Sequence, residues 1–197
     1  MVTRKRRMDD SNHGRGSAVS YIDLQIRETL TPKLIQELSD GRLDLAIMAL
    51  PVSEKIFEKV PLFSEDFVLI RPRTDQGKPV PQADALSDMR LLLLEEGHCF
   101  RDQNLAYCSI RTSRKLAGLD GSSLSTLVQM VGAGMGVTLL PEMAIGVETR
   151  AAAVDVSRYD GVPPQRSIGM IWRKTNPLAA QFLQIAEFVR QSAEQMY

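Results

Sequence analysis

Thr31-Pro32-Lys33-Leu34-Ile35-Gln36-Glu37-Leu38-Ser39-Asp40-Gly41-Arg42-Leu43-Asp44-Leu45-Ala46-Ile47-Met48-Ala49-Leu50 decides the fold class of this chain. Leu34, Ile35 and Leu38 fall at helical spacing behind Pro32, with Thr31 at a natural N-cap position, so a helix is expected over 32–39. Gly41 stops it. Leu43 to Leu50 then reads as a strand buried on both faces. Upstream, Tyr21-Ile22-Asp23-Leu24-Gln25-Ile26 alternates in the manner of a half-buried strand. Strand, helix, strand implies a parallel pair joined by a crossover helix, and so an α/β class.

The pattern continues outward from that unit. Phe67-Val68-Leu69-Ile70 and Leu91 to Leu94 read as strands separated by a Pro- and Asp-rich loop. Ser122-Ser123-Leu124 opens a helix through Val131, with Leu124, Leu127, Val128 and Val131 as its apolar stripe. Gly132-Ala133-Gly134-Met135-Gly136 follows a helix rather than a strand, so it is a tight turn and not a dinucleotide-binding loop. Val137 to Pro141 and Ser167 to Trp172 are further strands. Pro177 to Ala193 is an amphipathic helix with Phe182, Ile185, Ala186 and Val189 on one side. Residues 1–20 carry Arg4-Lys5-Arg6-Arg7 and little that is apolar, and are expected to be a disordered tail.

Composition narrows the function classes. The chain has 197 residues, with 24 Lys and Arg balancing 24 Asp and Glu, so as a whole it exerts no electrostatic pull on nucleic acid or anionic membrane. No apolar run approaches a membrane span of about 20 residues. No apolar core follows the basic residues at the start, so a secretory signal is not expected and the cytoplasm is the expected compartment. There, an isolated cysteine pair is more often catalytic, metal-binding or redox-sensing than a structural disulfide.

The chain's two cysteines lie in Glu96-Gly97-His98-Cys99-Phe100-Arg101-Asp102-Gln103-Asn104-Leu105-Ala106-Tyr107-Cys108. Cys99 follows an apolar strand and a glycine and precedes a helix-compatible run. That places its sulfur near a helix N-terminus, where backbone N–H groups favour a thiolate. Arg101 adds positive charge, and His98 and Asp102 offer hydrogen bonds to a hydroperoxide. A continuous helix would hold the two Cα atoms about 13 Å apart, whereas a disulfide needs them within about 7 Å. If the segment is helical when reduced, oxidation must unwind it. Two buried cysteines without a redox role remain open at this point. A metal site is disfavoured, because adjacent His98 and Cys99 do not easily point at one tetrahedral ion. No catalytic triad, carboxylate pair or Walker motif can be assembled, and no cofactor is implied.

Gly97-His98-Cys99-Phe100-Arg101-Asp102-Gln103 with Cys108 closely resembles the sensor segment of the OxyR-type, peroxide-responsive branch of the LysR-type transcriptional regulators. Thr31 with Leu34, Gly41-Arg42-Leu43-Asp44, Val60-Pro61-Leu62-Phe63, Ser122-Ser123-Leu124, Gly134 to Pro141 and Arg166 to Met170 are similar to patterns of their effector domains. The resemblance covers roughly residues 21–195. It implies that Cys99 is the peroxidatic thiol and Cys108 the resolving one, with Thr31, His98, Arg101 and Asp102 lining the peroxide pocket. It also implies a two-lobed periplasmic-binding-protein-like domain over 21–197, lobe one at about 21–66 and 165–197 and lobe two at about 67–164. Such a domain is a homodimer, not an enzyme and not membrane-bound, and meets DNA and RNA polymerase only in a full-length protein.

The DNA-binding domain and the first effector-domain strand of that family have no counterpart here. The resemblance therefore leads one to expect a truncated chain, with lobe one incomplete and operator DNA not bound. Two other readings stand beside it. One is a LysR-type domain that binds a small anionic effector, with incidental cysteines. The other is a thiol peroxidase or disulfide oxidoreductase, which lacks the Cys-x-x-Cys motif here.

Overall fold

The computed structural model describes residues 2–3, 25–81, 83–86, 89–107 and 120–195. Along the chain the elements are β1 (Val2–Thr3), α1 (Thr31–Ser39), β2 (Leu45–Leu50), β3 (Phe57–Pro72), α2 (Ala83–Leu86), β4 (Leu93–Leu94), α3 (Cys99–Tyr107), β5 (Asp120–Gly121), α4 (Leu124–Gly132), β6 (Thr138–Pro141), α5 (Ile145–Glu148), β7 (Val154–Ser157), β8 (Gln165–Arg173) and α6 (Ala179–Glu194). Helices and strands mix as the sequence pattern requires of an α/β protein. The chain divides into two compact units, residues 1–63 with 168–197 and residues 64–167.

In the first unit, α1 forms where the apolar spacing predicts, and its buried face carries Leu34 and Leu38. These pack with Leu43, Met48, Phe57 and Ile171. Thr31 is not the N-cap. Leu30 takes that position, and its carbonyl accepts from Leu34 N at 2.9 Å, so the helix begins one residue early with Thr31 inside it. The helix ends with Asp40 as its C-cap, and Gly41 follows. β2 is flanked by β8 and by β1, with Val2 opposite Ala46 and Thr3 opposite Leu45 in antiparallel register. α6 lays Phe182 on Trp172 of β8, ring centroids 5.6 Å apart.

The expected strand over 21–26 is not seen where it can be judged. Gln25 and Ile26 are irregular and exposed, while residues 21–24 lie outside the described residues, as do 1 and 4–20 of the expected tail. Alternation alone does not make a strand, because each N–H and C=O needs a neighbouring strand to pair with. Ile26 is instead left 65% exposed. The expected parallel pair around α1 is therefore not formed by the described residues.

In the second unit, β3 pairs antiparallel with both β6 and β7, with Leu69 opposite Leu139 and Ser157. β4 and β5 form a short parallel pair, Leu93 opposite Asp120 and Leu94 opposite Gly121. Leu127, Val128 and Val131 of α4 are wholly buried against Leu92, Leu93, Leu139 and Leu140. Each fully buried aliphatic side chain stabilises the fold by about 1.5–3 kcal/mol. Ser123 caps α4, its Oγ accepting from Thr126 N at 3.1 Å. The glycine-rich stretch is the expected tight turn. Gly136 allows a close approach there, since a Cβ would sit 2.3 Å from the Arg90 carbonyl. That room lets Val137 N donate to Arg90 O at 3.0 Å and Leu92 N to Val137 O at 2.8 Å.

Candidate functional site: the first turn of α3

α3 begins where β4 leaves the core through the turn Glu95 to His98. Gly97 has φ +92°, a left-handed conformation that a side chain would strain. This turn reverses the chain so that Cys99 becomes the first helical residue. Its thiol is free and half-buried. The N–H groups of a helix's first turn have no partner within the helix, and Cys99 is the residue at that end of α3. His98 is half-buried, and its carbonyl accepts from Arg101 N at 3.0 Å. Asp102 is exposed in the first turn, where a carboxylate complements the helix dipole.

The positive charge of Arg101 is fixed in place by two partners. Its guanidinium donates to Leu94 O at 2.7 Å and pairs with Asp120 Oδ2 at 2.9 Å. The side chain is only 12% exposed. Arg101 therefore ties the first turn of α3 to β4 and β5. Glu95 N, which donates to Gly121 O at 3.1 Å, extends the same seam. Beside it, Phe100 is buried, its ring 5.7 Å from that of Phe67. At the other end of α3, Tyr107 meets Tyr159 edge-on at 6.1 Å.

Of the residues singled out in the sequence, the structure places Cys99, Arg101 and Asp102 in the first turn of α3, with His98 immediately before it. Thr31 belongs to α1 in the other unit. Cys108 lies outside the described residues. Sequence reasoning passed over Gln103 and Asn104. Gln103 follows Cys99 by four residues and so shares its helix face, and its Oε1 is buried without a partner. Asn104 is wholly buried, with neither polar side-chain atom hydrogen-bonded among the described residues. The signal for both was present: a polar residue at i+4 from the cysteine, and an amide on a helix's apolar stripe.

Two cavities lie elsewhere. One of about 150 Å³ is lined by Asp66, Phe67, Glu142, Arg158 and Tyr159 among others in the second unit. One of about 500 Å³ in the first unit is lined by Arg27, Glu37 and Arg42 with Gln25, Ile26 and Leu43. In both, the arginines are already paired: Arg158 with Glu142 at 2.6 Å, Arg27 with Glu37 at 2.8 Å and Arg42 with Asp40 at 2.8 Å.

Residues 20–194 match the LysR substrate binding domain. A probable hydrogen peroxide-inducible genes activator of Streptomyces viridosporus is 39% identical over 175 residues, 87% of this chain and 56% of that protein. The DNA-binding transcriptional dual regulator OxyR of Escherichia coli K12 is 35% identical over 173 residues, 86% of this chain and 56% of its own length. The chain thus spans a little over half the length of these curated relatives. Among solved structures, a hydrogen peroxide-bound cysteine-to-serine mutant of Corynebacterium glutamicum OxyR superposes with a TM-score of 0.82 at 31% identity, covering 90% of this chain and 57% of that one.

Proposed function

The chain belongs to the LysR substrate-binding domain family, and on that premise we propose that it is the peroxide-sensing regulatory domain of a transcription activator, switched by a disulfide between Cys99 and Cys108. Its fold class, α/β of the periplasmic-binding-protein type, is that of the OxyR regulatory domains it matches. The observation that carries the proposal is a free thiol at the start of a helix that runs unbroken to Tyr107, the residue before the second cysteine in sequence. Eight helical rises from Cys99 to Tyr107 span about 12 Å. The Cα of Cys108 is joined to that of Tyr107 across a single peptide of about 3.8 Å. With α3 intact, the two cysteine Cα atoms are at least about 8 Å apart, beyond the roughly 7 Å that a disulfide allows. Oxidation and an intact α3 therefore exclude each other, and that exclusion is what makes a switch.

The chemistry has two steps. The Cys99 thiolate attacks one peroxide oxygen, the O–O bond breaks, and the sulfur becomes a sulfenic acid while hydroxide leaves and takes up a proton. The Cys108 thiol then displaces water from that sulfur to form the disulfide. Two electrons pass from the two thiols to one hydrogen peroxide. In this reading His98, next to Cys99 in sequence, and Gln103, one helical turn on, supply hydrogen bonds to the oxidant. Asp102 is exposed and open to it, and Arg101 keeps the turn in place.

The domain would act as a homodimer in the cytoplasm, with DNA and RNA polymerase engaged by a full-length protein. It is a sensor and not a turnover enzyme. The small-anion reading draws no support from the two cavities, whose arginines are all neutralised by carboxylates. Thiol counting separates the sensor from the peroxidase. One equivalent of hydrogen peroxide should consume both thiols, with no sustained peroxide consumption when thioredoxin and its reductase are added. Continued turnover would support the peroxidase instead.

A further inference from the structure

The apolar stripe of α3, read at helical spacing, is Phe100, Asn104 and Tyr107. The middle member is an amide. Asn104 is 0% exposed, and neither its Oδ1 nor its Nδ2 has a hydrogen-bond partner among the described residues. The Oε1 of the preceding Gln103 is buried and unpartnered as well. An asparagine amide offers two donors and two acceptor sites, all of which water satisfies once the residue is exposed. Buried polar groups in folded proteins are overwhelmingly paired, so this turn of α3 is held in a state that opening would relieve.

The turn before it is anchored. Phe100 is seated on Phe67, and Arg101 bonds both Leu94 O and Asp120. We propose that Asn104 is the point at which α3 opens, so that the helix unwinds from residue 104 onward while Cys99 stays on a pinned first turn. Asn104 touches no reacting atom. It is a positioning residue that sets how readily the resolving thiol is released toward Cys99. This inference rests on the redox reading above, but it makes its own statement about the reduced protein.

In reduced protein, amide hydrogen exchange followed by mass spectrometry should show faster exchange at 104–107 than at the internally bonded amides of α4, residues 128–132. Asn104→Leu should slow exchange at 104–107 by roughly tenfold and leave α4 unchanged. Asn104→Ala, which removes the amide without adding apolar bulk, should shift exchange in the same direction and carries the test if the leucine variant fails to fold. With peroxide, trapping of the sulfenic acid in a Cys108→Ser background should proceed at the same rate with or without Asn104→Leu. The closure to disulfide should slow by about the same factor as exchange. Unchanged exchange in both variants, slowing in Leu alone, or a change in the sulfenic-acid step would overturn the proposal. Slowed exchange in a protein that never forms the disulfide would instead reject the redox reading and leave the role of Asn104 in α3 standing.

Discussion

α3 and α4 are both nine-residue helices of the same unit, and both lay one face on the same core, yet they are built to opposite specifications. α4 opens on a serine cap and buries three aliphatic side chains in a continuous stripe. α3 opens on a free cysteine and buries a phenylalanine and an asparagine without a partner among the described residues. Where local propensity, stripe and polar satisfaction agree, the element is scaffold. Where they disagree, the element is a candidate for function rather than scaffold.

The comparison can be broken most forcefully by giving α4 the defect of α3. Val128→Asn replaces a wholly buried aliphatic residue by an unpaired amide and should destabilise the protein by about 3–4 kcal/mol. Its melting temperature should fall by roughly 10 °C. A fall of a degree or two would mean that this core absorbs a buried amide without cost, and the reading of Asn104 would lose its basis.

A frame common to both helices comes next. Asp155 of β7 accepts from Ser157 Oγ at 2.6 Å and from Arg71 Nε at 2.9 Å. The Ser157 hydroxyl, and then the Arg71 guanidinium, hold its carboxyl below the ordinary value against an opposing desolvation. A depressed carboxylate contributes stability that is present above its unfolded pKa of about 3.9 and is lost as pH falls through the lower folded value. Asp155→Asn should cost about 2 kcal/mol at pH 7. Denaturant midpoints should then fall less steeply between pH 5 and the acid limit, at roughly pH 2, than in the parent. An acid limb of unchanged slope would assign the pH dependence elsewhere.

Smaller effects sharpen the contrast. Asn104→Leu should stabilise the reduced protein by about 1–2 kcal/mol, read as a higher urea midpoint at constant slope. Ser123→Ala should cost about 1 kcal/mol through loss of the α4 cap. A stabilising Ser123→Ala would show that the cap is not what fixes the start of α4.

How legible these features were follows from how far apart the interacting residues lie in sequence. The α4 stripe, its Ser123 cap and the turn at 132–136 are short-range patterns, and the structure reproduces them. Thr31 was misread as a cap because a preceding backbone carbonyl, that of Leu30, starts the helix without any side chain. The pattern over 21–26 misled at Gln25 and Ile26 because a strand depends on a neighbour that the pattern does not contain. The tie from Arg101 to Asp120 spans 19 positions, and nothing in either segment announces it. Asn104 was legible as a polar residue on an apolar stripe, but only its burial and lack of partners give it meaning.

The most direct test of the central claim is a count of free thiols with intact mass after a slight excess of hydrogen peroxide is added to reduced protein, beside Cys99→Ser and Cys108→Ser. The account predicts prompt loss of both thiols and of two hydrogens in the parent. Neither variant should form the internal disulfide, and Cys108→Ser should stop at one added oxygen. Both thiols persisting in a protein shown by circular dichroism to be folded would contradict it.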